Sequence, residues 1–183
     1  LWSETIEQYE YEDCPPHPAW MEPYERLGGT GSDRWPLHLV SNQPTVRLHS
    51  QYDHTEPSTG SKVAGREPVR IHPRTAQQRG IADGDLVRVF NERGACLAGA
   101  VLDDALMPEV IQLSTGAWYD PDEEGMCRAG NPNVLTRDKG TSKLAQGPSA
   151  HTCLVDIERF DEPAPRVEAY DPPELIQRPQ GET

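Results

Sequence analysis

The segment Leu86-Val87-Arg88-Val89-Phe90, the turn Asn91-Glu92-Arg93-Gly94 and the return Ala95 to Leu102 constrain the fold more than any other part of the chain. The first run alternates apolar and polar residues with the period of two that a half-buried strand requires. Asp83-Gly84-Asp85 punctuates its entry, and the Asn-Glu-Arg-Gly tetrapeptide reads as a hairpin turn with Gly94 in the positive-φ position. The return run mixes Cys96, Ala98, Gly99, Ala100 and Val101, small residues that suit the interior of a tight barrel.

The same punctuation recurs along the chain. Residues 36 to 40 predict a strand, as do Val69-Arg70-Ile71-His72, Glu109-Val110-Ile111-Gln112-Leu113 and His151 to Ile157. Pro73 to Arg79 predicts a short helix, because proline suits the first helical turn and Gly80 a left-handed stop; Ile81 then packs back on it. No βαβ alternation and no internal repeat are present. Short strands, one helix and hairpin chemistry describe a small mixed barrel better than a doubly wound sheet.

The remaining segments read as connections. Residues 1 to 34 form an acidic, aromatic arm, solvated or wrapping, and Gly28 to Gly31 lacks the Gly-Lys-Ser/Thr and helix of a phosphate loop. Residues 52 to 66, with Pro57, Ser58, Thr59 and Gly60, predict a mobile loop. Past Phe160 the prolines predict an extended or disordered tail. The organisation expected is therefore an arm over 1–34, a barrel over 35–160 and a tail over 161–183.

The 183 residues suffice for one domain with its own core, and a formal net charge of -13 argues against nucleic acid and anionic membrane surfaces as partners. No apolar stretch approaches the ~20 residues of a membrane span, and no signal-peptide pattern is present. The first residue is Leu, so the chain is expected to be a piece of something longer or a processed product. Cys14, Cys96, Cys127 and Cys153 show no metal-site spacing; Cys96 and Cys153 read as core thiols, and Cys14/His17 and His151/Cys153 as chance neighbours.

One stretch carries chemistry. After the strand at 36–40 the chain runs Ser41-Asn42-Gln43-Pro44-Thr45-Val46-Arg47-Leu48-His49-Ser50-Gln51, a dense array of donors and acceptors that Pro44 keeps out of any strand ladder. Amides and hydroxyls suit the edge of a heterocycle and Arg suits a phosphate; a polar loop packed on itself is the alternative. His49 ends the run as a ligand contact or a structural histidine. Trp118, Tyr119 and Gly116 suit either a ligand wall or core packing, while Asp120, Asp122, Glu123 and Glu124 read as a solvated acidic turn. Two further polar loops, Asn131 to Thr136 and Thr141 to Pro148, are placed to close on the same ligand.

Val40 to Gln51 resembles the "S-N-x-P-x-x-R-L-H-S-Q" signature of the molybdopterin oxidoreductases, in the subgroup of dimethyl sulfoxide, trimethylamine-N-oxide and biotin sulfoxide reductases. Agreement continues in order through Gly65-Arg66-Glu67-Pro68, Ile71-His72-Pro73, Gly80 to Asp85, Val89 to Gly94, Trp118 to Pro121, Asn133 to Thr136 and Gly140 to Gly147. Asp13 to Pro18 and Trp20 to Pro23 resemble the lead-in to the same domain, so roughly residues 1 to 160 are covered.

The resemblance implies the C-terminal dinucleotide-binding domain of such an enzyme, a mainly β fold built on a six-stranded double-psi β-barrel. It implies as cofactor a bis(molybdopterin guanine dinucleotide) molybdenum centre, of which this domain grips one dinucleotide. Ser41, Asn42, Gln43, Thr45, Arg47, His49, Ser50 and Gln51 carry over as pterin and pyrophosphate contacts, with Asn133, Gln146 and Gly147 from the later loops. Gln43 stands where His is commoner, and an amide replaces the hydrogen bond without titrating. The implied partners are the cofactor and the upstream domains of the same enzyme, one of which holds the metal-ligating serine; the chain alone is therefore expected to be inactive. Gly140 to His151 is most similar to the biotin/methionine sulfoxide reductase branch. The cytoplasm is the expected compartment, with the periplasm as the alternative. A second function class, a non-catalytic double-psi barrel adaptor that binds a protein partner, stands beside this reading.

Overall fold

The computed structural model describes residues 1–176. Six strands close a barrel: β1 (Leu37–Val40), β2 (Pro68–Ile71), β3 (Leu86–Phe90), β4 (Ala95–Leu102), β5 (Val110–Leu113) and β6 (Leu154–Arg159), in the order β1-β5-β2-β4-β3-β6. Among the described residues three short helices accompany them, α1 (Glu4–Glu7), α2 (Glu56–Thr59) and α3 (Pro73–Gln78), with one 3₁₀ turn at Pro132–Val134. Two pairings are parallel, β1 with β5 and β2 with β4; the other four are antiparallel. Exchanging β1, β2 and β3 for β4, β5 and β6 leaves this pattern unchanged, so the barrel has an internal two-fold in its connectivity. The sequence shows no repeat because the two halves share topology and little side-chain identity.

The pleat sets the core. Leu37 and Leu39, Val69 and Ile71, Val87 and Val89, Ile111 and Leu113, and Val155 and Ile157 all point inward at every second position. Against these branched side chains β4 offers Cys96, Ala98 and Ala100, whose small volumes let the wall close. The strand is buried on both faces, since the segment 62–67 and the segment 127–130 cover its outer side. Gly99 N–H donates to Glu67 O at 3.1 Å, and Leu97 N–H donates to Cys127 O at 2.8 Å. Helix α3 ends as its sequence dictates: Gly80 has φ 64°, its N–H donates to Gln77 O at 3.2 Å, and Ile81 N–H donates to Ala76 O at 2.9 Å.

Two expectations change, and a third is narrowed. Gly94 is not among the positive-φ residues; it is required because a Cβ there would sit 2.8 Å from the Val134 carbonyl oxygen. Residues 52–66 do not form a loose loop: they carry α2 and bury Asp53, Ser58 and Lys62 in a charge network. Residues 161–176 have no helix or strand, yet they run back along the barrel, with Val167 and Ala169 packed on the core. Residues 177–183 of the expected tail lie outside the described residues. The arm wraps rather than floats, because buried Glu25 accepts Leu154 N–H at 2.7 Å and pairs with Arg93 at 2.6 Å. Among the described residues, no helix is long and apolar enough to cross a membrane.

Gly99 supplies a test of this packing, because a Cβ there would overlap Val63. Gly99→Ala is expected to cost roughly 1–3 kcal/mol through overpacking. A lowered denaturant midpoint with an unchanged slope is the expected result, and an unchanged midpoint would contradict the close approach.

Candidate cofactor-binding cleft

Because β1 and β5 are parallel neighbours, the segments that follow them leave the same end of the barrel side by side. They are tied at once: Thr115 N–H donates to Asn42 O at 2.9 Å, and Ser114 Oγ lies 3.3 Å from Asn42 Oδ1. Gln43 Nε2 donates to Arg47 O at 3.1 Å and folds the first segment on itself. His49 and Tyr52 take φ values of 50° and 64°, and the His49 carbonyl then presses on Gly116. Gly116 has φ 94°, and a Cβ there would overlap that carbonyl oxygen, so both conformation and space demand glycine. Trp118 completes the contact by donating its Nε1–H to Ser50 O at 2.7 Å.

Between these segments and the 3₁₀ turn lies a cleft of about 430 Å³, lined by His49, Ser50, Gly116, Trp118, Asn131 and Asn133 among others. Asn131 is spent on structure, accepting Asn133 N–H at 2.9 Å as the cap of the turn. The Ser50 hydroxyl, the Asn133 amide and the His49 ring have no hydrogen-bond partner among the described residues. A hydroxyl, an amide and an imidazole beside an indole suit a flat, polar heterocycle. Among the described residues no Lys or Arg lines the cleft, so an anionic part of a ligand here would meet hydroxyls and main-chain N–H groups.

The structure divides the residues singled out from the sequence. His49, Ser50 and Asn133 share the cleft, with Gly116, Trp118 and Tyr119. Asn42 and Thr45 line a second, smaller hollow of about 210 Å³ on the other side of the loop, while Ser41 and Gln51 line neither. Gln146 and Gly147 sit in an exposed turn, where Gln146 Nε2 donates to Ser142 O at 2.8 Å and Gly147 O accepts Thr141 N–H at 2.8 Å; neither lines the cleft.

Arg47 points into the protein, away from the cleft. Its guanidinium is fully buried, within 3.0 Å of Glu67 Oε2 and 3.4 Å of Asp53 Oδ1, and donates to Thr115 O at 2.9 Å. In that position it does not line the cleft. Lys62 Nζ completes the set, 2.7 Å from Asp53 and 3.0 Å from Glu67. Asp120 is likewise no solvated turn: it is buried and paired with Arg128 at 2.7 Å. Asp53, Lys62 and Glu67 escaped sequence reasoning because isolated charges in a polar stretch carry no periodic signal; Asn131 before Pro132 did carry a readable cap signal.

Asp53 organises the floor of this site. It accepts Ser58 Oγ at 2.8 Å, Trp118 N–H at 3.0 Å and Tyr170 Oη–H at 2.9 Å, besides its cations. Burial alone would raise its carboxyl; the Lys62 ammonium, the Ser58 hydroxyl and the Trp118 N–H outweigh that and hold it below the ordinary 3.8. A carboxyl depressed in the folded state stabilises fully above its unfolded value, and that contribution is lost as pH falls through the folded value. Protein stability is therefore expected to fall on acidification below pH 3.8 through this group. Asp53→Asn is expected to be destabilised at neutral pH and to flatten the acid limb, as read by urea midpoints across pH. An acid limb of unchanged depth would contradict the role.

The model of the molydopterin dinucleotide binding domain matches residues 37–154. The chain is 52% identical over 179 residues to trimethylamine-N-oxide reductase of Salmonella typhi, covering 94% of this chain and 21% of that protein. It is 50% identical over 177 residues to the dimethyl sulfoxide/trimethylamine N-oxide reductase of Cereibacter sphaeroides, with coverage of 94% and 21%. Among solved structures, acetylene hydratase from Pelobacter acetylenicus superposes with a TM-score of 0.71 at 18% identity, over 87% of this chain and 23% of that one, a likeness of fold. The chain spans about a fifth of the length of the curated relatives it matches. A β1-to-β5 cleft of polar side chains, a closed six-stranded barrel and a family match over most of that barrel agree: the chain belongs to the molydopterin dinucleotide binding domain family.

Proposed function

We propose that this domain holds one dinucleotide of a bis(molybdopterin guanine dinucleotide) molybdenum cofactor in the His49–Ser50–Asn133 cleft, as part of a larger reductase that acts on an N-oxide or a sulfoxide. The observation that carries the reading is the convergence of three unengaged polar side chains and an indole edge on one cleft inside the family-matched segment. The donor set fits the group in part: it suits a purine or pterin ring, whereas the phosphates find hydroxyls and main-chain N–H groups in place of the buried Arg47. When bound, the molybdenum centre supplies the two-electron chemistry of oxygen removal. This chain's part is to bind and orient: Ser50 and Asn133 offer hydrogen bonds, the Trp118 indole offers an aromatic wall, and the Gly116–His49 contact fixes the cleft floor.

The names of the relatives weigh toward trimethylamine N-oxide and dimethyl sulfoxide as substrates, and away from the biotin or methionine sulfoxide that Gly140 to His151 suggests. The upstream domains remain the proposed partners, as the source of the metal ligand and of the substrate pocket.

In the full-length protein, Ser50→Ala and Asn133→Ala are each expected to lower bound molybdenum about fivefold, the size of one lost hydrogen bond, with little change in the melting temperature of the cofactor-free protein. Molybdenum and guanine nucleotide per polypeptide are the quantities to measure. Full occupancy in the double variant would contradict the assignment of the cleft.

A further inference from the structure

Trp118 is the only aromatic ring of the cleft wall that touches a second aromatic behind it among the described residues. Its ring packs against Tyr170 at 5.6 Å between centroids and against His54 at 5.4 Å. Its Nε1–H holds the Ser50 carbonyl at 2.7 Å, and its main-chain N–H is held by Asp53 at 3.0 Å. Tyr170 touches Trp118 without lining the cleft.

The route by which Tyr170 arrives is fixed at several points. Arg66 donates to the Pro165 carbonyl, Glu168 N–H donates to Asp120 Oδ2 at 3.0 Å, and Glu168 Oε2 pairs with Arg128 at 3.1 Å. The Tyr170 hydroxyl then donates to Asp53 Oδ2 at 2.9 Å, and Lys62 Nζ stands 6.0 Å from the centre of its ring. Burial, reinforced by the Asp53 carboxylate, pushes the phenol well above its ordinary range, so it stays a donor across physiological pH. Asp53 thus accepts from Tyr170 and from Trp118 on the same oxygen.

We propose that Tyr170 is a positioning residue for the cofactor cleft: its ring backs Trp118 and, through the Trp118–Ser50 hydrogen bond, sets the place of the Ser50 contact. The inference rests on the assignment of the cleft to a molybdopterin dinucleotide. It gives the proline-rich segment after β6 a task at the binding site, from which it is more than a hundred residues distant in sequence from Ser50 and Asp53.

The test uses the full-length protein with Tyr170→Ala, Tyr170→Phe, Asn133→Ala and, as a neighbouring surface control, Asp171→Asn. Molybdenum and guanine nucleotide per polypeptide are measured, with the rate of cofactor loss on dilution and the melting temperature of the cofactor-free protein. Tyr170→Ala is expected to lower occupancy and speed loss by about threefold to tenfold, the worth of one aromatic pair. Tyr170→Phe keeps the ring and is expected to recover most of that loss, while Asp171→Asn behaves as the parent. The cofactor-free melting temperature stays close to that of the parent in Tyr170→Phe. If Tyr170→Ala does not accumulate, Tyr170→Leu takes its place, keeping bulk without the ring. Parental occupancy and loss rate in the ring-less variant overturn the inference, as does a loss that Tyr170→Phe fails to recover. If Asn133→Ala lowers occupancy in that case, the cleft stands and Tyr170 alone loses its role; if it does not, the cleft assignment falls as well.

Discussion

Four buried charges, Arg47, Asp53, Lys62 and Glu67, hold the end of the barrel at which the cleft forms. Each ion costs several kcal/mol to take out of water, and the cost is offset only when partners and geometry are complete. Here the two cations and two carboxylates sum to zero and their contacts lie between 2.7 and 3.4 Å, with the buried Arg47 Nε left without a hydrogen bond. The arrangement adds side-chain ties between segments that the strand pairings already bring to one rim. Arg47 belongs to the stretch after β1 and also holds the Thr115 carbonyl after β5; Lys62 and Glu67 belong to the cover over β4; Tyr170 comes from the segment after β6. A non-polar replacement could supply the packing but not the directed bonds to Trp118 N–H and Thr115 O. The stretch from Ser41 to Gln51 is thus rigid because its one guanidinium faces inward.

The barrel makes this possible through its strand order. Two parallel neighbours, β1 and β5, deliver two polar segments to one rim, while the internal two-fold sends those after β2 and β4 to the opposite end. A backbone oxygen pressed onto Gly116 and an indole hydrogen-bonded to Ser50 then fix the cleft wall at close quarters. Side chains that line the cleft, such as Ser50 and Asn133, are left free for a ligand, because the main chain and the buried ions carry the structural work.

The strands were legible in the sequence because period-two alternation and turn residues are local signals: Leu86 to Phe90 and Ala95 to Leu102 needed no tertiary information. The helix at Pro73 was legible from its proline and its Gly80 stop. The site was legible as a stretch, and its family resemblance named the ligand, but the direction of each side chain was not. Arg47 reads as a phosphate ligand in one dimension; only the fold shows Asp53 and Glu67 waiting for it. Gly94 reads as a turn glycine, yet Val134 across the loop is what requires it. Residues 52–66 read as mobile because Pro, Ser, Thr and Gly dominate, while the charges that order them find their partners through space. Tyr170 was invisible for the same reason: its partners lie far away along the chain, and a tyrosine among prolines carries no pattern.

Hydrogen exchange in the full-length protein, compared with and without its molybdenum cofactor, tests the central claim most directly. Added protection is expected at amides of residues 49–50, 116–118, 131, 133 and 134, with none at the β3–β6 face around Arg88 and Glu158, which lines a separate hollow of about 720 Å³. Protection at that face, or no difference around Ser50 and Trp118, would contradict the placement of the dinucleotide.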